Sequence, residues 1–82
     1  MMNTNQIEEN VVAFIREELG KDIKGHDQDL MKEAIIDSFN MIQLIQYVEE
    51  TFELSIDLDE LDLNAFKSVK SIAEQVTVWK SL

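Results

Sequence analysis

Apolar residues recur along this chain at helical rather than strand spacing, and the pattern breaks into three amphipathic stretches. In the first, Ile7, Val11, Val12, Phe14, Ile15 and Leu19 fall on one stripe, with Glu9, Ala13, Arg16 and Glu17 opposite. Asn3 or Thr4 can cap its start, Gln6 stands three residues after Asn3, and Gly20 is placed to end it. The second and clearest stretch follows Asp37-Ser38 and runs to about Glu53, its core stripe formed by Met41, Ile42, Leu44, Ile45, Val48 and Phe52. The third begins with Ser68 as N-cap and sets Val69, Ile72, Ala73, Val76 and Trp79 on one side.

Between the first two stretches, residues 21–37 lack periodicity yet carry Ile23, Leu30, Met31, Ile35 and Ile36, which a free linker would lack. An ordered crossover loop is expected, and loops of that length tend to be functional. Ile56 and Leu58 start an acidic connection, Asp57 to Asp62, with a short helical turn near Leu61 to Phe66. The expected fold is all-α: a small four-helix bundle of three main helices and one short one, with a long first loop.

The chain has 82 residues, 45% of them hydrophobic and 29% charged, which is one domain's worth of ordinary globular sequence. Net stability at that size is roughly 4–12 kcal/mol, from roughly 0.05–0.15 kcal/mol per residue. Such a margin disfavours an enclosed catalytic cavity. Seventeen acidic residues against seven Lys and Arg leave a formal charge of -10, which repels nucleic acid and anionic membrane surfaces and attracts basic protein surfaces. Without cysteine there is neither a disulfide nor a thiolate metal site. Residues Met1 to Gln6 contain no basic n-region followed by an apolar segment, and no apolar run reaches membrane-spanning length, so a cytoplasmic location is expected; the chain is also expected to be a monomer.

Two residues at the start of the second stretch carry the candidate chemistry. On a helical wheel Phe39 lands away from the core stripe, beside Gln43, Gln46 and Glu50, with Glu53 at the edge. A phenylalanine on that face either covers the end of the crossover loop or meets a partner. Ser38 is well placed as an N-cap, although Met41 three residues on offers no reciprocal capping box. The mouth of a helix also favours an attached phosphate, through free N–H groups and the positive end of the macrodipole.

Other constellations are weaker. His26, Asp37 and Ser38 can be written as a nucleophile triad, but no oxyanion donors or substrate pocket accompany them, and His26 is expected to be a solvated loop residue. The acidic run from Asp57 fails as a calcium loop, with Asp62 where Gly is needed and Ser68 where a bidentate Glu is needed. Met31 and Met41 are expected as core filler.

Ala34-Ile35-Ile36-Asp37-Ser38-Phe39, after Asp29-Leu30 and opening an apolar helix that ends Glu49-Glu50-Thr51-Phe52-Glu53-Leu54-Ser55-Ile56, resembles the attachment region of acyl and peptidyl carrier proteins. Asn64-Ala65-Phe66-Lys67-Ser68-Val69 with Ile72-Ala73 resembles the start of the last helix in free-standing carriers. The resemblance implies a single carrier domain over 1–82 whose Ser38 is esterified to 4'-phosphopantetheine, donated by coenzyme A through a phosphopantetheinyl transferase. It further implies that the thiol of that group carries an acyl or aminoacyl thioester from an adenylating enzyme to acyl-transfer or condensing enzymes, the chain itself being no enzyme. By the same resemblance Asp37 helps the transferase dock, and the face read from the helical wheel, Phe39, Gln43, Gln46, Glu50 and Glu53, is the expected partner surface.

The family pattern is departed from twice. Ala34 stands where carriers usually have Gly, which removes easy access to positive φ and implies a differently tightened loop. Asn40, Gln43 and Gln46 are neutral where carriers of fatty acid synthesis are acidic, which points to a dedicated biosynthetic pathway. The wording Ile-Asp-Ser-Phe is most similar to discrete carriers, D-alanyl carriers among them. The alternative from the residues alone is an unmodified acidic helical interaction module, with Ser38 serving as a cap or a phosphorylation site.

Overall fold

The structure, a computed structural model, describes residues 3–81; Met1, Met2 and Leu82 lie outside the described residues, and with them the start and end of the expected 1–82 domain. Capping decides where the first helix, α1 (Thr4–Glu17), begins. The Asn3 carboxamide accepts the Gln6 N–H at 2.9 Å, and Gln6 Oε1 accepts the Asn3 N–H at 3.1 Å, a reciprocal box that satisfies two donors. At the other end Gly20 takes φ 69°, and the chain turns so that the Lys21 N–H reaches the Ile15 carbonyl at 3.1 Å. Both termini behave as the residue pattern predicts.

After α1 come α2 (Ser38–Thr51), a 3-10 helix (Leu63–Phe66) and α3 (Val69–Ser81), with no strand among the described residues. The all-α bundle is therefore present, its short fourth element being a single 3-10 turn. Ser68 caps α3 as expected: its hydroxyl accepts the Ser71 N–H at 3.1 Å, and Ser71 Oγ accepts the Ser68 N–H at 3.0 Å. Helix α2 stops two residues short of Glu53, which takes φ 54° while the Leu54 N–H bonds back to the Glu49 carbonyl at 2.9 Å.

Helix α1 packs against both α2 and α3. The core takes Ile7, Val11 and Ile15 from α1, Met41, Leu44, Ile45 and Val48 from α2, and Val69, Ile72, Ala73 and Val76 from α3. Leu30, Ile36, Phe52 and Phe66 fill it from the connections. Leu30 and Phe66 are completely buried, which at about 1.5–3 kcal/mol per large apolar side chain makes each a substantial anchor for its loop.

The crossover loop is ordered, and its ties explain why. The Leu30 N–H donates to the Lys67 carbonyl at 2.7 Å, and the Lys70 N–H donates to the His26 carbonyl at 2.8 Å, lacing the loop to the start of α3. Leu30's own carbonyl accepts from Ile35 at 2.9 Å and from Ile36 at 3.1 Å, closing the turn that delivers the chain to α2.

Three expectations are corrected. Ile42 is 46% exposed rather than part of the core stripe, because it lies about 110° from the middle of that stripe, at its margin. Met31 is 43% exposed on the crossover loop, whereas Met41 is buried. Ala34 takes φ 58°, so the left-handed conformation that glycine would reach without strain is retained by a residue that carries a Cβ.

Candidate functional site

The mouth of α2 is set one residue earlier than Ser38. Asp37 is the N-cap, with extended backbone, and its Oδ1 accepts the Asn40 N–H at 2.8 Å. Asn40 Oδ1 returns toward the Asp37 N–H at 3.4 Å, completing a capping box. This corrects the placement of Ser38 as cap and the expectation that no box forms: an Asp/Asn pair one position upstream performs the role assigned to a Ser/Glu pair. Ser38 becomes the first helical residue, exposed, and its hydroxyl has no hydrogen-bond partner among the described residues.

That geometry frees the oxygen for chemistry. An N-cap hydroxyl is committed to a backbone donor, whereas one at the next position points out at the helix rim. The Ser38 and Phe39 amides, among the first N–H groups of the helix, likewise find no partner among the described residues and favour an anionic group nearby. Accessibility, an uncommitted hydroxyl and adjacent donors together fit a phosphate ester on Ser38.

Phe39 is 67% exposed, beside Ser38 and away from the core. It does not close the crossover loop. Ile42, one turn further along α2, extends its apolar surface, and Met31 stands on the crossover loop that leads into Ser38. Sequence reasoning missed both partners. The signal for Ile42 was the three-residue spacing from Phe39; Met31 gave none, because only the folded loop brings it near the mouth of α2.

The remaining face residues separate. Gln43, Gln46 and Glu50 line a shallow groove between α1 and α2 together with Asn10, Phe14 and Glu17. Gln43 is half-buried there and accepts from the Asn40 carboxamide at 3.1 Å. Glu53 lies beyond the far end of α2, roughly 20 Å from Ser38 by helical rise, and borders another groove with Ile7, Phe52 and Lys80. Tyr47 closes the floor of the α1–α2 groove: its ring stacks on Phe14 at 4.3 Å and its hydroxyl donates to the Asn10 carbonyl at 3.1 Å.

His26 is not joined to Asp37 or Ser38 by any hydrogen bond among the described residues. It is a solvent-exposed loop residue, as expected, and its Nδ1 meets Glu8 Oε1 at 2.8 Å, a surface contact between the crossover loop and α1. The acidic run is structural at its ends: Asp57 Oδ1 accepts the Asp59 N–H at 2.9 Å, and Asp62 Oδ1 accepts the Asn64 N–H at 2.9 Å to start the 3-10 helix. No helix among the described residues is long and apolar enough to cross a membrane.

The family model described as phosphopantetheine attachment site matches residues 9–76, a span that includes the crossover loop and the whole of α2. Among curated proteins, the chain is similar to D-alanyl carrier proteins from two strains of Lactobacillus delbrueckii subsp. bulgaricus. Each is 27% identical over 71 residues, covering 85% of this chain and 89% of the relative.

Proposed function

This chain belongs to the phosphopantetheine attachment-site family, and from that premise we propose that Ser38 is the residue that bears the group, in one carrier domain spanning 1–82. Carrier proteins of this family hold 4'-phosphopantetheine covalently and are not catalysts: phosphopantetheinyl transferases and acyl-activating enzymes act upon them. The bound group supplies a terminal thiol on which cargo rides as a thioester, chemistry that a chain without cysteine cannot provide itself.

One observation carries the assignment: the Ser38 hydroxyl is exposed and uncommitted because Asp37 does the capping. Asp37 thereby has two tasks, holding the helix start and presenting a carboxylate beside the hydroxyl for the transferase. Phe39 and Ile42 give partners an apolar contact next to the attachment point, and Glu50 with the other acidic residues supplies longer-range attraction to basic surfaces. Gln43 and Gln46 in the α1–α2 groove extend that surface, and Glu53, on the separate groove beyond the end of α2, adds a more distant acidic contact. Contacts of this kind suit fast, reversible exchange between a loading enzyme and an acyl-transfer or condensing enzyme.

The cargo is an acyl or aminoacyl group, handled by a discrete cytoplasmic carrier of a dedicated biosynthetic pathway. The D-alanyl carrier relatives and the neutral start of α2, where Asn40, Gln43 and Gln46 stand, support that choice over general fatty acid synthesis.

Incubating the protein with coenzyme A, Mg2+ and a broad-specificity transferase tests it. Intact mass should rise by one phosphopantetheinyl group, and Ser38→Ala should abolish the increase while leaving the helical fold intact. A folded wild-type protein of unchanged mass in the presence of a competent transferase overturns the assignment and leaves the unmodified interaction module as the better description.

A further inference from the structure

We propose that Lys21 is a positioning residue for the prosthetic arm: its ammonium pairs with the arm's phosphate and lays the first part of the arm into the groove between the crossover loop and α2. The inference rests on attachment at Ser38. It concerns where the arm lies, not whether it is attached.

The groove has a volume of about 320 Å³ and opens beside Ser38. Lys21 lines it, as do Met31, Ile35 and Asp37, and Lys21 is the one cationic residue among those lining it. Only seven Lys and Arg stand against seventeen acidic residues in the whole chain, so a cation lining the same groove as the attachment serine is a local exception to an acidic surface. A phosphate esterified to Ser38 is confined by one bond to the edge of this groove, next to the Asp37 carboxylate. Two anions there repel one another, and Lys21 is the groove residue able to offset them.

The fold holds Lys21 in place. Gly20, at φ 69°, redirects the chain after α1, and the Lys21 N–H is bonded to the Ile15 carbonyl at 3.1 Å, so the backbone from which the side chain reaches is fixed. The apolar side of the lining suits the apolar part of the arm. Pantetheine continues from its phosphate into a carbon bearing two methyl groups, and half-exposed Met31 with half-buried Ile35 offers apolar surface for them. A solvent-exposed ion pair of this kind is weak, which allows a partner enzyme to draw the arm out.

Uniformly 15N-labelled protein, converted to the phosphopantetheinyl form and verified by intact mass, provides the test. In the wild type, modification should shift the backbone amides of Lys21, Met31 and Ile35, and the shifts at Met31 and Ile35 should fade as salt approaches about 1 M, where the Debye length is about 3 Å. In Lys21→Gln the mass increment should remain while the shifts at Met31 and Ile35 collapse and the 31P line of the phosphodiester narrows. Lys21→Arg should restore both. Equal shifts and 31P width in wild type and Lys21→Gln, at full modification, overturn the role of Lys21 and leave the Ser38 assignment standing. Absence of the mass increment in the wild type overturns the attachment and this inference with it.

Discussion

The Asp37 carboxylate accepts the Asn40 N–H at 2.8 Å, and that single bond decides the status of Ser38 between them. Were Ser38 the cap, its hydroxyl would be occupied; with Asp37 in that role the hydroxyl is available. The capping role of Asp37 can be separated from the role proposed for it toward the transferase, because Asn caps as well as Asp but carries no charge. Asp37→Asn is expected to keep stability within a few tenths of a kcal/mol, whereas Asp37→Ala should cost about 1 kcal/mol in urea unfolding. Both should slow the appearance of the modified mass. Modification of Asp37→Asn at the wild-type rate would mean that Asp37 serves the helix alone.

Ala34 lies four residues before Ser38 with φ 58°, a conformation that costs an L-residue roughly 1–2 kcal/mol and glycine nothing. The Cβ is exposed, so no packing is lost by removing it. Ala34→Gly relieves that strain but gives the unfolded chain about 0.4–1 kcal/mol of extra freedom. The net expectation is a gain of about 0.5–1 kcal/mol, read as a higher urea midpoint at unchanged slope. Destabilisation would show that the loop tolerates Ala34 without strain.

Helix number, order and core were legible because each apolar stripe has the period of a helix and each start carries a recognisable cap: Asn3 with Gln6, and Ser68 with Ser71. The cap of α2 was misplaced by one residue, since Asp37 and Ser38 are both good caps and only the Asn40 carboxamide, completing the box, distinguishes them. Ile42 sits at the border of its stripe, where periodicity cannot separate core from rim. Lys21, Met31 and Ser38 share the crossover loop and its exit but have no periodic spacing, and what gathers them round one groove is the loop's hydrogen bonding to Lys67 and Lys70, which no spacing rule encodes.

Tyr47 joins α1 to α2 and makes their packing sensitive to alkali. Burial of its phenol raises the pKa above the ordinary 10.0, with hydrogen bonding to Thr51 opposing the rise. The folded protein therefore keeps this proton to higher pH than the unfolded chain does. Its stabilising contribution is complete below about pH 10 and is lost as pH climbs through the folded-state value. Tyr47→Phe keeps the stacking on Phe14 but removes the bond to the Asn10 carbonyl, which should cost about 0.5–1.5 kcal/mol at neutral pH. The stability difference between wild type and Tyr47→Phe should shrink above pH 10 in denaturant titrations. A difference that holds constant there would refute the raised pKa.

Phe39 and Phe66 provide the contrast that separates a proposed docking residue from a core residue. Phe66, the last residue of the 3-10 helix, is fully buried, whereas Phe39, the second residue of α2, is 67% exposed. Phe66→Ala should cost about 3–5 kcal/mol, enough to threaten folding in a chain of this size. Phe39→Ala should cost no more than about 0.5 kcal/mol, as for a surface change. Loading should show the reverse order: Phe39→Ala, fully modified on Ser38, is expected to raise the concentration of carrier needed by its acyl-activating enzyme, and Ile42→Ala should add to that effect because its surface continues from Phe39. Large losses of stability in Phe39→Ala with unchanged loading would place Phe39 among the structural residues and move the docking surface elsewhere. The α1–α2 groove, where Gln46 and Glu50 lie, would then be the next surface to mutate.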